Sequence, residues 1–171
     1  WSIEFPEILS DEGEFTGFDA VIGNPPYIDS RENISIYKDF WKSFYQSSKY
    51  GKTNTYEIFI ERGLQILKSN YFLSYINPIV WLSVDACSSS RKHVLLNNQV
   101  LEISYSDANV FTEANIDTIL LFVRKNSVNN NLNKLQINIK RFNDNYSTIQ
   151  EQFKIKQIKK NDKLFRVFLK T

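Results

Sequence analysis

The chain has 171 residues, and its 21 basic against 19 acidic side chains leave a formal net charge of +2 at pH 7. With one cysteine, Cys87, and one histidine, His93, it can form neither an internal disulfide nor a zinc site built on such ligands. No apolar run reaches the ~18 residues of a membrane-spanning helix, and the first residues lack the basic stretch of a signal peptide, so we expect a cytoplasmic protein.

Hydrophobic patterning predicts strands that alternate with helices. Residues 1–17 are predicted to form a loop, and the apolar run 18–22 predicts a buried strand, because Gly-Asn-Pro-Pro ends it. The next predicted elements are a helix at 34–45, a mobile polar segment at 47–53, a helix at 56–67, a strand at 71–76, a helix at 85–96, strands at 100–105 and 118–123, a polar linker at 126–133 and a half-buried strand at 135–142. This alternation predicts an α/β sheet with helical crossovers, in which ligands bind beyond the carboxyl ends of the strands.

The helix at 56–67 is predicted from an apolar stripe with Asn54 or Thr55 as its cap. The stripe consists of Phe59, Ile60, Gly63, Leu64 and Leu67.

Charge is unevenly distributed along the chain. Residues 134–171 carry ten lysines and arginines against three acidic residues, whereas residues 1–133 carry 11 basic and 16 acidic side chains. A basic segment on an acidic body suggests a polyanionic partner such as nucleic acid. The alternative is a solvated lysine-rich surface, which charge alone favours.

The segment whose composition points to chemistry is Asn24-Pro25-Pro26-Tyr27. Two prolines in series fix φ and remove two backbone donors, which leaves a stiff loop with unpaired carbonyls. With the Asn24 amide and the Tyr27 ring, such a loop can accept two hydrogen bonds from one NH₂ group while a flat π-system lies on the ring. An aromatic exocyclic amine matches this arrangement, because two acceptors that draw its nitrogen toward tetrahedral geometry favour the transition state. Pro-Pro also occurs as a plain strand-ending turn.

Residues 18–28 (FDAVIGNPPYI) resemble catalytic motif IV of adenine-specific DNA methyltransferases, and most of all that of the gamma-type enzymes of type IIG restriction–modification systems. The likeness continues in order over about residues 1–125. It includes WSIEFPEI before motif IV, YEIFIERGLQILK of motif V, FLSYINPIVWL of motif VI and DANVFTEANIDTILLFVR of motif VIII. Arg91 lies where that family has a Leu-Arg-x-x-Leu helix.

The resemblance implies a role for each residue of the loop. The Asn24 side chain and the Pro25 carbonyl would accept the two amine hydrogens of a target adenine, and Pro26 would shape the loop. Tyr27 would stack on that base once it has flipped out of double-stranded DNA, with Phe111 on its other side. The alternative for Phe111 is a hydrophobic plug under a loop.

The resemblance also implies a partial Rossmann-like sheet with S-adenosylmethionine as cofactor. Phe59 would contact the adenine of the cofactor, and Asn24 would also lie at the cofactor. The helical stripe allows an alternative for Phe59, a role in the hydrophobic core, which is equally open at this point. The Gly-rich motif and the acidic residue that precede motif IV in the family, and hold most of the cofactor, are absent from this sequence. We therefore expect a fragment of a longer enzyme, inactive alone, whose sheet lacks its first strands and leaves an open edge for self-association.

In domain terms, we predict the catalytic half of a methyltransferase at 1–125, the linker at 126–133, and a basic β-containing extension toward a target-recognition region at 134–171.

Other functions stay open at this point. The same loop occurs in methyltransferases of RNA or of a protein glutamine amide, although the flanking segments here count against them. Methylation of the cytosine amine is also open, whereas a cytosine-C5 enzyme needs a Pro-Cys nucleophile, and no proline precedes Cys87. A non-catalytic DNA-binding module would need only the basic segment, and the intact Asn24 and Tyr27 argue against it. We predict no metal or nuclease site, and His93 is predicted to be a surface residue.

Overall fold

The computed structural model describes residues 5–28, 35–49, 53–106, 116–125, 137–142 and 148–151. Within these ranges the helices are α1 (Ser35–Phe44), α2 (Thr55–Ile66) and α3 (Ser88–Asn97). The strands are β1 (Phe18–Gly23), β2 (Leu67–Pro78), β3 (Asn98–Ser106), β4 (Thr118–Lys125), β5 (Asn138–Phe142) and β6 (Thr148–Glu151). Short 3₁₀ segments lie at Pro6–Ile8, Gln46–Ser48, Ile79–Leu82 and Asp85–Cys87. The predicted linker at 126–133 lies outside the described residues.

The strands form one mixed sheet in the order β1-β2-β4-β3-β5-β6. β1 is parallel to β2 and β3 is parallel to β5, while β4 runs antiparallel to β2 and β3 and β6 runs antiparallel to β5. The carboxyl ends of β1, β2, β3 and β5 therefore meet at one edge of the sheet. The predicted α/β sheet with helical crossovers is confirmed, and the apolar β4 lies between β2 and β3.

One face of the sheet is covered by α2 and α3. Ile60 and Leu64 of α2, and Val94 and Leu95 of α3, are buried against β-strand residues of the same hydrophobic core. α2 begins as predicted, because the N–H of the cap residue Asn54 donates to a Glu57 carboxylate oxygen at 3.0 Å.

The prediction that the first strand is buried was wrong. Of the β1 side chains, that of Ile22 is 80% exposed, and those of Asp19 and Ala20 are also exposed. Among the described strands β1 pairs with β2 alone, so it is an edge strand with one face and one edge open. Phe72 of β2 and Leu120 of β4 also lie exposed, at 37% and 39%.

The prediction of a mobile polar segment from residue 47 was wrong for its first residues. Ser47 and Ser48 are buried, because Ser47 donates from its N–H at 2.8 Å and from its hydroxyl at 2.7 Å to the buried carboxylate of Glu61. The hydroxyl of Ser48 donates to the carbonyl of Trp41 at 2.6 Å. A buried glutamate thus fixes a segment whose composition alone favours a loop.

Near its start, β2 contains Asn70, which adopts a left-handed conformation with φ of 72°. The sequence predicts this tolerance, since asparagine enters that region more easily than most residues. The pairing of β1 with β2 is interrupted at the same place, between Phe18 and Ala20.

The strand predicted at 135–142 is described from Asn138 and joins the same sheet. Ser104 of β3 lies opposite Lys140 of β5 in a parallel register, and Lys140 pairs with Glu102 at 2.5 Å. Ile139 is buried, so β5 is half-buried as predicted. No helix in the described part of the chain is long and apolar enough to cross a membrane.

Candidate active site

The Asn24-Pro25-Pro26-Tyr27 loop follows β1 directly, at the edge of the sheet where the parallel strands end. The Asn24 side chain is exposed, and no described residue forms a hydrogen bond with it. The Pro25 carbonyl likewise accepts no hydrogen bond from the described part of the chain. The described fold therefore uses neither of the two acceptors that the sequence singles out, although Asn24 is exposed and Pro25 is buried.

The second half of the loop is held by Thr55, the first residue of α2. Its hydroxyl donates to the Pro26 carbonyl and accepts from the Ile28 N–H at 3.0 Å. Its own N–H donates to the Ile28 carbonyl at 3.1 Å. The sequence names Thr55 only as a possible helix cap, and a threonine that follows the cap residue gives no signal of the loop that it contacts.

Tyr27 is half-buried, and its hydroxyl donates to the Ile76 carbonyl of β2 at 2.9 Å. Its ring meets that of Tyr56 edge-on, with centroids 6.0 Å apart and an interplanar angle of 88°. Burial raises the pKa of the Tyr27 phenol to about 12, so it is neutral at pH 7. The ring is thus fixed by one hydrogen bond and one aromatic contact beside Asn24.

Phe59 lies on α2 and does not belong to the core. Its side chain is 45% exposed, whereas those of its neighbours Ile58 and Ile60 are buried. The alternative of a core role for Phe59 is therefore wrong, and its place in the predicted apolar stripe is wrong as well. The other predicted stacking residue, Phe111, lies outside the described residues.

The model of the Eco57I restriction-modification methylase family matches residues 1–111, which include the loop, α2 and α3. The chain belongs to this family.

Individual relatives agree with the family match. The type II restriction enzyme and methyltransferase RM.Eco57I of Escherichia coli is 35% identical over 121 residues, or 66% of this chain and 12% of that protein. The type II methyltransferase M.TthHB8I of Thermus thermophilus is 30% identical over 125 residues, or 69% of this chain and 28% of that protein. The adenine-specific methyltransferase BrxX of Escherichia coli is 26% identical over 94 residues, which are 55% of this chain and 8% of that protein. The chain therefore spans less than a third of these relatives.

Solved structures agree in fold. A protein of Listeria monocytogenes assigned to the class I S-adenosylmethionine-dependent methyltransferases superimposes with a TM-score of 0.56 and 18% identity, over 74% of this chain and 36% of that chain. At this identity the likeness concerns the fold alone.

In this Eco57I-family chain, a buried polar cluster lies at the start of α2, next to the residue that contacts the loop. Glu57 is fully buried, and burial raises its pKa to about 7. The Tyr56 hydroxyl lies 3.3 Å from the Cys87 sulfur, and burial raises the pKa of that thiol to about 12. Cys87 is a buried, un-ionised thiol, which agrees with the sequence argument that it is not a nucleophile.

Arg91 stabilises the turn after β2 through hydrogen bonds. The sequence places this residue in the family pattern but does not predict these contacts. Its guanidinium is fully buried and donates to the carbonyls of Trp81 and Val84, both at 2.7 Å. The indole N–H of Trp81 donates to the Ser90 hydroxyl at 3.0 Å. α3 and the turn that follows β2 are therefore joined through buried hydrogen bonds.

The described residues offer no cluster of metal ligands near the loop. Over the described ranges, no group of three or more His, Cys, Asp or Glu side chains could hold a metal ion. His93 is half-buried on α3, where its Nδ1 lies 3.2 Å from the Asn97 amide nitrogen.

Proposed function

We propose that this chain is the catalytic half of a DNA methyltransferase that transfers a methyl group to the exocyclic amine of adenine within a restriction–modification system. The observation that carries the proposal is the pair of acceptors at Asn24 and Pro25, neither of which is used by the described fold, on a loop fixed from both sides. The family match supports methyl transfer, and the name of BrxX supports adenine as the target.

The loop would activate the amine through hydrogen bonds. The Asn24 carbonyl oxygen and the Pro25 main-chain oxygen would each accept one amine hydrogen, which draws the nitrogen lone pair out of conjugation with the ring. Because the Pro25 carbonyl belongs to a loop that is fixed before the base arrives, this acceptor would cost little reorganisation as charge develops on the nitrogen. Pro26 keeps the loop rigid, since its ring fixes φ.

Tyr27 would hold the base. A target base must leave the duplex stack before a methyl group can reach its amine, and an aromatic ring compensates for part of the lost stacking. The bond from the Tyr27 hydroxyl to Ile76 keeps its ring in one orientation. We propose that Phe111 stacks on the opposite side of the base.

S-adenosylmethionine is the cofactor that the family implies, and it supplies a methyl group on a positively charged sulfur. The chain fits this cofactor in one respect: Phe59 presents an exposed ring that the core does not use. We propose that Phe59 contacts the adenine of the cofactor, with Asn24 at its methyl-bearing end. We further propose that other segments of the intact protein complete the cofactor site and that residues 1–171 alone are inactive.

Double-stranded DNA is the proposed partner, and the basic residues of 134–171 are proposed to contact its backbone. Their surplus of ten basic over three acidic side chains supports this. In the domain arrangement that we propose, residues 1–125 carry the catalytic half, 126–133 the linker, and 134–171 an extension toward target recognition. The pairing of β5 with β3 supports a close association between the start of this extension and residues 1–125.

The decisive experiment is the Asn24→Ala variant of the intact protein, assayed with labelled S-adenosylmethionine and a DNA mixture. We expect N6-methyladenine as the product of the unmodified protein and no product from the variant, at a DNA affinity within about threefold. Asn97→Ala, which removes an exposed asparagine on α3, is the matched control and should retain activity. A fully active Asn24→Ala protein, or a product on cytosine, RNA or protein glutamine, would contradict the proposal.

A further inference from the structure

Few hydrogen bonds hold the Asn24–Tyr27 loop, and most of them end on one side chain. Pro25 and Pro26 donate none, because proline has no N–H. Within the described residues, the segment from Pro26 to Ile28 is joined to the rest of the fold through Thr55 and through the Tyr27 hydroxyl. Thr55 makes four hydrogen bonds to this segment: one to Pro26 and three to Ile28, of which the one from its hydroxyl to the Ile28 carbonyl is long at 3.5 Å.

The geometry of Thr55 differs from that of an ordinary helix cap. The cap residue of α2 is Asn54, and Thr55 comes one residue later, inside the helix. Its N–H, which is one of the donors that a helix start leaves unpaired, is used by the Ile28 carbonyl. The side chain is 8% exposed, and its hydroxyl both donates to the loop and accepts from it.

We propose that Thr55 is a positioning residue for methyl transfer, which fixes the orientation of the Asn24 and Pro25 acceptors by clamping the loop at Pro26 and Ile28. This inference rests on the proposed function of the loop. The distance from the clamp to the acceptors is short along the chain: Pro26 follows Pro25 directly. Because the ring fixes φ of Pro26, its ψ is the one soft dihedral between the two carbonyls, so a displacement of the Pro26 carbonyl is passed on to the Pro25 carbonyl with little slack.

The expected cost of losing the clamp is kinetic. Misplacement of reacting groups by about 1 Å slows catalysis by about 10²-fold. Binding of the duplex through basic side chains elsewhere does not depend on the loop orientation. We therefore expect Thr55 to affect the rate of methyl transfer at bound target far more than the affinity for DNA.

The experiment compares Thr55→Val, Thr55→Ser and Thr55→Ala in the intact protein, in single-turnover reactions with enzyme in excess over DNA. The first-order rate constant measured in this way does not depend on the fraction of enzyme that is folded. We expect Thr55→Val and Thr55→Ala to lower it at least tenfold and Thr55→Ser to restore it to within about threefold. The DNA dissociation constant should change less than threefold in all of them.

Thr16→Val is the matched control, because the Thr16 hydroxyl also donates to a main-chain carbonyl, that of Ile8 at 2.9 Å, in a hairpin away from the loop. It should leave the rate constant unchanged. If Thr55→Val does not fold, the role of Thr55 is decided by comparing the single-turnover rate constants of Thr55→Ser and Thr55→Ala. Equal rates in those two variants, with an active unmodified protein, would overturn the role of Thr55, whereas an inactive unmodified protein would instead contradict the proposed function.

Discussion

The hydroxyl of Tyr27 and the carbonyl of Ile76 are joined by a 2.9 Å hydrogen bond, which ties the loop after β1 to the end of the neighbouring strand β2. This bond and the Tyr27 ring have separable effects. Removing the hydroxyl in Tyr27→Phe loses one partly buried hydrogen bond, worth about 1 kcal/mol, and keeps the stacking surface. Removing the ring in Tyr27→Ala should also remove the proposed base stacking, worth about 1–3 kcal/mol.

We therefore expect a graded response in the intact protein. Tyr27→Phe should still flip the target base and slow methyl transfer by less than about tenfold, whereas Tyr27→Ala should impair flipping itself. The measurement is the fluorescence of 2-aminopurine at the target position, together with the transfer rate. Tyr37→Phe, on the exposed face of α1, serves as the control. Equal fluorescence with Tyr27→Ala and the unmodified protein would refute the stacking role.

The buried carboxyl of Glu57 should make the stability of the fold depend on pH. Its pKa is raised from 4.5 to about 7 by burial, so the folded state keeps a proton that the unfolded state has lost. The contribution of Glu57 to stability is therefore greatest below about pH 4.5, falls as the pH rises toward 7, and is level above that. This difference between the pKa values of Glu57 in the unfolded and folded states corresponds to a change in the free energy of unfolding of roughly 3 kcal/mol at most.

Glu57→Gln tests this directly, because glutamine keeps an acceptor for the Asn54 N–H and cannot ionise. In urea unfolding between pH 5 and 8, we expect the slope attributed to Glu57 to vanish in this variant. Glu14→Gln, which changes an exposed glutamate, should behave like the unmodified chain. An identical slope in Glu57→Gln would place the titration elsewhere.

The two hydrogen bonds from Arg91 to the carbonyls of Trp81 and Val84 should be worth much more than those of an exposed side chain. Arg91→Met keeps the apolar stem and leaves both buried acceptors without this donor, at a cost of about 3 kcal/mol in free energy of unfolding. Arg91→Lys should restore only part of the stability. One Arg91 nitrogen donates to both carbonyls, and the lysine ammonium, on a stem of different length and shape, would have to reach the same point. Thermal or urea unfolding measures both.

The neighbouring residue supplies the control for this prediction. Lys92→Met makes the same kind of change at an exposed position of α3 and should alter stability by less than about 0.5 kcal/mol. If Arg91→Met and Lys92→Met proved equally stable, the buried bonds of Arg91 would contribute nothing to the turn.

The sequence predicts those parts of the fold that local patterns determine. The stripe of Ile60 and Leu64 marks α2, and the apolar, β-branched composition of 118–123 marks the central strand β4. The short run 18–22 was equally clear as a strand, yet its burial depends on which strands lie beside it. Because β1 is the outermost described strand, an apolar run alone could not predict the exposure of Ile22.

The site is predictable to the same extent. The motif singles out Asn24 and Tyr27 as candidates, since their residue types suit the proposed chemistry. It does not identify Thr55, because the contact joins residues 27 or more positions apart and depends on where α2 starts relative to β1. The burial of Ser47 likewise depends on Glu61, a glutamate whose inward orientation no local pattern reveals.

Phe59 offers the sharpest distinction between a cofactor contact and a packing role. The ring of Phe59 is 45% exposed, whereas its neighbour Ile60 is fully buried. Truncation of Phe59 should therefore change cofactor affinity and truncation of Ile60 should change stability. Phe59→Ala should leave the free energy of unfolding within about 0.5 kcal/mol of the unmodified value. It should also raise the dissociation constant of S-adenosylmethionine for the intact protein about tenfold, as measured by calorimetry. Ile60→Ala, by contrast, should cost about 2–5 kcal/mol of stability. A destabilised Phe59→Ala protein with unchanged cofactor affinity would show that Phe59 supports the fold and does not contact the cofactor.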